Sequence, residues 1–195
     1  MIRFFGGRVM TLANGIETQD IEVWTEGSKI VFVGKPKAEE LDGKVFEREY
    51  DLKGNLLMPS FKNAHTHSAM TFLRSYADDM PLQDWLFKQI FPMEAKLDGE
   101  KVYWLTKLAI LEYLTTTFDM YFELDDYVKA CIESGFRSVL CGAVSGDKSN
   151  LERLENNYLK YNGKDPLISF MLGFHAEYTC EKELMEGVGK LAAKY

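Results

Sequence analysis

The hydrophobic pattern of the chain changes near residue 55. Before that point, apolar and polar side chains alternate over short runs; in one run Ile21, Val23 and Thr25 alternate with a glutamate and a tryptophan. A period of two is typical of β-strands with one buried face. We therefore predict that residues 1–54 form a small β unit, with strands in four runs: RVMTL, IEVWTEG, SKIVFVGKP and VFEREYDLKGN.

After residue 55, short apolar runs alternate with longer segments that carry apolar residues at helical spacing. The runs with strand character are NLLMPSFKNAHTH, TTTFDMYF, RSVLCGAV and LISFMLGFHAEYT. The helical segments are PLQDWLFKQIFPMEAKL, DGEKVYWLTKLAILEYL, ELDDYVKACIES, NLERLENNYLKY and EKELMEGVGKLAAKY. Asp98 is a candidate helix N-cap, and Gly135 is a candidate stop signal. This alternation predicts an α/β fold with four parallel strands over residues 55–195.

Composition and charge restrict the classes of function. The chain has 195 residues, of which 46% are apolar and 27% charged, which is ordinary for a globular protein with a core. A net charge of −7 without a Lys/Arg cluster argues against nucleic-acid binding, so we expect a small-molecule substrate. No run of about 18 apolar residues and no signal-peptide pattern is visible, so we expect a cytoplasmic protein that does not bind membranes. The three cysteines show no CxxC spacing, which gives no support for a disulfide framework or a thiolate zinc site.

Two of the three histidines, His65 and His67, lie at the end of the first apolar run after residue 55. Alternate residues of a strand share a face, so both imidazoles can reach one ion. Neutral imidazoles suit zinc or a similar divalent transition metal. An isolated HxH pair is a weak signal, with two half-exposed histidines as the alternative. Its position strengthens the metal hypothesis, because sites in parallel α/β folds form at the carboxyl ends of strands.

The third histidine, His175, has the same place in the fourth apolar run. Taken alone, it fits a core histidine as well as a ligand contact, but its matching position favours a functional role. Three aspartates near these segments, Asp78, Asp79 and Asp119, are interpreted as loop or strand-end residues rather than as metal ligands.

Several of these runs together resemble the amidohydrolase superfamily: MPSFKNAHTHSAMTFLRSYADDMPLQDWL, FPMEAKL, TTTFDMYF and GFHAEYTC. Within it, the likeness is to the branch of chlorohydrolases and aminohydrolases that contains the S-adenosylhomocysteine and 5′-methylthioadenosine deaminases. The resemblance implies an N-terminal β-sandwich subdomain, which begins in residues 1–54. It implies that residues 55–195 supply the first four βα units of a (β/α)₈ barrel.

The resemblance also implies a chemistry. His65 and His67 match the first two ligands of one divalent metal ion, expected to be zinc. Glu94 matches a carboxylate that holds ribose hydroxyls, and His175 matches a histidine that contacts substrate. The implied activity is hydrolytic deamination, in which metal-activated hydroxide releases ammonia from an amino-purine nucleoside or a related amino-heterocycle.

The chain departs from the family pattern in several ways. Family members are about twice as long, because a full barrel alone needs about 250 residues, and the later metal ligands and the acid/base glutamate have no counterpart here. We therefore expect these 195 residues to be an inactive fragment of a longer enzyme. The alternative is a non-catalytic half-barrel that binds or assembles, as a homo-oligomer or with a complementary half-barrel. In addition, Gly142 stands about where a substrate-binding arginine is expected.

Overall fold

The computed structural model describes residues 1–13, 15–113, 115–142 and 144–195. Leu114 and Ala143, at the ends of a predicted helix and a predicted strand, lie outside the described residues. The chain divides into two compact units, Met1–Ser60 and Phe61–Tyr195, which are described separately.

The first unit contains two β-sheets. Its elements are β1 (Ile2–Phe5), β2 (Arg8–Met10), β3 (Thr18–Gln19), β4 (Glu22–Glu26), β5 (Lys29–Gly34), the short helix α1 (Ala38–Leu41), β6 (Arg48–Asp51) and β7 (Leu56–Leu57). One sheet has the order β5-β4-β1-β6 and the other β3-β2-β7. The sequence pattern did not predict β1. Each of its four residues is half-buried, so β1 shows no contrast between a buried and an exposed face, and the run IRFF is short.

The boundary between the units lies after Ser60 rather than after residue 54. The apolar run 55–67 was interpreted as one strand, but it forms two. Leu56–Leu57 pairs in parallel with β2 in the first unit, and the next strand begins at Lys62. Pro59 lies between them; it has no main-chain N–H for a ladder bond and restricts the residue before it to extended conformations.

The second unit is a four-stranded parallel sheet with helices between its strands. Its strands are β8 (Lys62–Thr66), β9 (Thr116–Tyr121), β10 (Arg137–Gly142) and β11 (Ile168–Met171). Its helices are α2 (Leu82–Asp84), α3 (Phe91–Glu94), α4 (Gly99–Glu112), α5 (Leu124–Glu133), α6 (Leu151–Tyr161) and α7 (Lys182–Lys194). The strands lie in the order β11-β10-β9-β8, and every neighbouring pair is parallel. The predicted α/β class with four parallel strands is confirmed.

Local signals explain where these helices begin and end. Asp98 caps α4 as predicted, since its side chain accepts a hydrogen bond from the main-chain N–H of Lys101 at 3.0 Å. Gly135 follows α5 with a φ of +63°, a left-handed conformation that costs glycine little.

The segment before α4 was predicted to be helical, and its middle is a π-helix rather than an α-helix. Trp85–Ile90 forms a π-helix between α2 and α3, and the N–H of Phe91 donates to the carbonyl of Leu86, five residues back. Pro92 explains the widening, because it cannot donate to the carbonyl four residues before it and its ring would clash there.

The core of the second unit lies between the sheet and its helices. Its fully or almost fully buried members include Val102, Tyr127, Leu140, Val144, Leu154, Ile168, Phe170 and Leu184. Across the described ranges, no helix has the length and apolar character needed to cross a membrane.

Packing explains the glycine at position 142. Gly142 is the last residue of β10 and is buried, and a Cβ built there would overlap Cδ1 of Leu154 on α6. Leu154 is itself fully buried and has little freedom to move aside. A residue with a long side chain, such as arginine, does not fit this position.

We predict that Gly142→Ala destabilises the protein by about 1–3 kcal/mol through overpacking. The free energy of unfolding would be measured by urea titration. The control is Gly189→Ala on α7, where a Cβ meets no atom within 4 Å and alanine should stabilise the helix by about 0.5–1 kcal/mol. Equal stability of Gly142→Ala and the unsubstituted protein would contradict this packing argument.

Candidate functional site

The histidine pair lies where β8 ends and its register against β9 changes. From Asn63 to Thr66 β8 advances three positions, while β9 advances two, from Thr117 to Asp119. This extra residue forms a bulge, and bulges turn side chains away from regular alternation. His65 lies inside the bulge and His67 directly follows β8, so simple alternation does not describe the pair. Even so, their ring centroids are 5.2 Å apart, with the ring planes at 77°.

The ring of His67 is held by the main chain of β9. Its Nδ1 lies 2.8 Å from the carbonyl oxygen of Met120. A carbonyl oxygen can only accept, so Nδ1 carries a hydrogen, and in the neutral ring Nε2 presents a lone pair. This tautomer and this kind of partner are those of metal-binding histidines, in which the second ring nitrogen is tied to an acceptor.

Glu94, at the end of α3, is half-buried and held by Tyr121 at the end of β9. The Tyr121 hydroxyl donates to Glu94 Oε1 at 2.9 Å, which leaves the other carboxylate oxygen available. Burial raises the pKa of Glu94, and the hydrogen bond from Tyr121 and the nearby His67 oppose this rise.

His175 follows β11 by four residues, so it is not on the strand as predicted. Instead, the chain around His175 pairs with the segment that follows β10. Phe174 forms a parallel bridge with Val144, and the His175 N–H donates to the Val144 carbonyl at 2.9 Å. Its Nδ1 is 2.8 Å from Thr179 Oγ1, whose own hydrogen is directed to the Ala176 carbonyl. Nδ1 therefore donates, and Nε2 is an acceptor.

Burial, together with the nearby His67, lowers the pKa of His175, so its ring is neutral at pH 7. His67 is thus close enough to affect the ionisation of both Glu94 and His175. The structure brings the four sequence-predicted site residues of the second unit into one neighbourhood around His67.

Two imidazoles with their rings this close fit a divalent transition metal as a part of its ligand set. Catalytic zinc sites normally use three protein ligands. Over the residues that the structure describes, no group of three or more histidine, cysteine, aspartate or glutamate side chains is arranged to hold a metal. A metal ion bound by this pair would need a third protein ligand from elsewhere.

Sequence analysis missed two residues of this neighbourhood. Tyr121 was not singled out, and Asp119 was interpreted as a strand-end or loop residue, whereas it lies inside β9 and is fully buried. The signal was present in TTFDMY, in which alternate residues starting at Thr117 share the buried face. Burial raises the pKa of Asp119, and hydrogen bonds from Ser68 and Tyr127 oppose this rise.

Comparison with known proteins identifies a protein family for most of the chain. Residues 56–195 match the model of the amidohydrolase family. A 5-methylthioadenosine/S-adenosylhomocysteine deaminase from Pelotomaculum thermopropionicum is 41% identical over 185 residues, which is 90% of this chain and 42% of that protein. A 5′-deoxyadenosine deaminase from Methanocaldococcus jannaschii is 43% identical over 188 residues, covering 91% of this chain and 44% of that protein.

A solved structure is also similar. The crystal structure of an adenosine deaminase from Xanthomonas campestris with bound zinc superimposes with a TM-score of 0.86 at 28% identity, over 99% of this chain and 47% of that one. The chain therefore spans less than half the length of each of these three relatives.

We predict that Tyr121→Phe raises the pKa of Glu94, because the lost hydrogen bond stabilises the ionised carboxylate. The titration of the Glu94 carboxyl carbon would be followed by NMR. Tyr103→Phe is the matched control, since the Tyr103 hydroxyl donates to Glu133 on the surface and not to Glu94. An unchanged or lower Glu94 pKa in Tyr121→Phe would show that Tyr121 does not hold the carboxylate.

Proposed function

The chain belongs to the amidohydrolase family, and we propose that the complete protein is a metal-dependent hydrolytic deaminase. It releases ammonia from an amino-purine nucleoside or a related amino-heterocycle. The single observation that carries this proposal is the histidine pair, with the His67 Nδ1 tied to the Met120 carbonyl and its Nε2 free. The deaminase names of the relatives from P. thermopropionicum and M. jannaschii support the reaction and the substrate class.

His65 and His67 would hold one divalent metal ion, proposed to be zinc. When bound, such an ion acts as a Lewis acid that makes water nucleophilic at neutral pH. The two imidazoles contribute to its affinity as neutral ligands, and the Met120 carbonyl keeps His67 in the ligating tautomer. The zinc in the similar adenosine deaminase structure supports this choice of metal.

Glu94 and His175 would bind the substrate. The Glu94 oxygen that Tyr121 leaves available can accept hydrogen bonds from ribose hydroxyls. Nε2 of the neutral His175 can accept from a donor on the substrate. Contacts of this kind hold the reacting carbon in place, which is how binding energy away from the reaction contributes to rate.

We propose further that the parallel strands β8 to β11 are the first four strands of a (β/α)₈ barrel and that the first unit begins a β-sandwich. The sheet order supports this, because β8 and β11 each have one neighbouring strand among the described residues. A complementary half-barrel would pair with these two edges, since an open strand edge favours association. The complete protein could also assemble as a homo-oligomer.

We predict that the complete protein binds one zinc ion and that His65→Ala and His67→Ala each lower its zinc content. Metal would be measured by mass spectrometry of protein dialysed against a trace of zinc. His175→Ala is the matched control and should keep its zinc, because His175 is assigned to the substrate. Full zinc occupancy in His65→Ala and His67→Ala would exclude the pair as ligands.

We predict that Glu94→Ala lowers kcat/KM for methylthioadenosine about 10- to 150-fold in the complete protein, because a hydrogen bond to a charged group contributes about 1.5–3 kcal/mol. The loss should disappear for the 2′,3′-dideoxy analogue, which lacks the hydroxyls. Glu100→Ala, on the exposed surface of α4, is the control for a removed charge. An equal loss with both substrates would show that Glu94 does not bind the ribose.

A further inference from the structure

Asp119 has a fully buried carboxylate, and the proposed chemistry gives it no role. Taking a carboxylate out of water is strongly unfavourable unless hydrogen-bond donors replace the water. A buried aspartate in a strand therefore needs specific donors, and the identity of those donors indicates what it holds in place.

Ser68, the residue after His67, supplies two donors to this carboxylate. The main-chain N–H of Ser68 donates to Asp119 Oδ2 at 3.1 Å, and the Ser68 hydroxyl donates to the same oxygen. Ser68 begins the 3₁₀ turn Ser68–Leu73, so its N–H is one of those that a helix start leaves without a partner in the turn. The carboxylate satisfies this group at the end where the helix dipole favours negative charge.

The residue after Asp119 in β9, Met120, holds the residue before Ser68, which is His67. The carbonyl of Met120 accepts from Nδ1 of His67 at 2.8 Å. Two consecutive residues of β9 thus fix two consecutive residues at the end of β8, one through its side chain and one through its main chain.

The bulge makes this attachment necessary. Regular pairing between β8 and β9 is lost between Asn63 and Thr66, so the ladder alone does not fix the direction in which the chain leaves β8. The contact between Asp119 and Ser68 restores a fixed connection just beyond the irregular pair. Without it, the main chain at His67 can rotate and its ring loses alignment with the Met120 carbonyl.

We propose that Asp119 is a positioning residue for His67: by anchoring Ser68 it keeps the His67 ring on the Met120 carbonyl and its Nε2 directed at the metal. This inference rests on the proposed function, because it assumes that His67 is a metal ligand. Asp119 itself touches neither metal nor substrate.

The test measures zinc affinity of the complete protein by competition with a chelator, below the unfolding temperature of each variant. Asp119→Asn keeps the shape of the side chain but replaces one oxygen by a donor and removes the charge, and it should weaken zinc binding about 10- to 100-fold. The cobalt-substituted variant should show a changed visible absorption spectrum, because that spectrum reports ligand geometry. A role in core stability alone would change neither readout in protein that remains folded.

Thr117→Val is the matched control. Thr117 is also fully buried on β9, two residues before Asp119. Its hydroxyl lies 3.3 Å from the Ser138 hydroxyl of β10, whereas the Asp119 carboxylate binds the turn after β8. Thr117→Val should lose stability and keep the zinc affinity and the cobalt spectrum of the unsubstituted protein. If Asp119→Asn does not fold, Ser68→Ala decides, since it removes one of the two donors and leaves the main-chain bond.

The outcomes separate this inference from the proposed function. Weaker zinc binding in Asp119→Asn, or in Ser68→Ala, with Thr117→Val unchanged supports the inference. Unchanged zinc affinity and cobalt spectrum in folded Asp119→Asn overturn it while His67→Ala still loses zinc. Unchanged zinc affinity in His67→Ala overturns the proposed metal site and this inference with it.

Discussion

The pairing of β8 with β9, with one extra residue in β8, is the constraint on which the candidate site depends. It determines where β8 ends and therefore where the two histidine rings lie relative to each other. The same pairing places the Met120 carbonyl beside His67, and the next residue of β9, Tyr121, holds Glu94 of α3. Every side chain assigned to metal or substrate is thus connected to β9 directly or lies near a residue that is.

This arrangement places polar side chains in the buried interior, in β9 and in the neighbouring strand β10. Thr117 and Asp119, with Ser138 of the neighbouring strand, are fully buried in positions where apolar side chains would pack more simply. Each has a hydrogen-bond partner: Ser138 lies 3.3 Å from the Thr117 hydroxyl and 2.9 Å from the Tyr127 hydroxyl. Buried polar networks of this kind stabilise one geometry rather than many, provided that every member is satisfied.

Much of the fold and part of the site could be predicted from the sequence. The periods of two and of 3.6 residues gave the four parallel strands and their helices, because each of these elements buries one continuous face. The histidine pair and His175 were found because apolar runs end near them.

The remaining features depend on contacts between distant segments, which a local pattern does not contain. The bulge at His65 is a property of two strands together, and the donors to Asp119 come from 51 residues away in the chain. The strand β1 was not predicted because each of its four residues is half-buried, so the short run IRFF does not distinguish a buried from an exposed face. Pro59 and Pro92 were visible, but their effects, a divided strand and a widened helix, become evident only from the paired and hydrogen-bonded main chain.

The π-helix Trp85–Ile90 makes the direction of Glu94 tolerant of a change in chain length. A π turn contains one more residue than the α turn it replaces, so a single deletion within this segment is absorbed by a return to α geometry. The helix after the deletion then keeps its orientation, whereas the same deletion in a regular α-helix rotates everything after it by about 100° around the axis, the angle that one residue spans. Related proteins can therefore differ by one residue in this segment and still direct this carboxylate the same way relative to the sheet that carries the histidines.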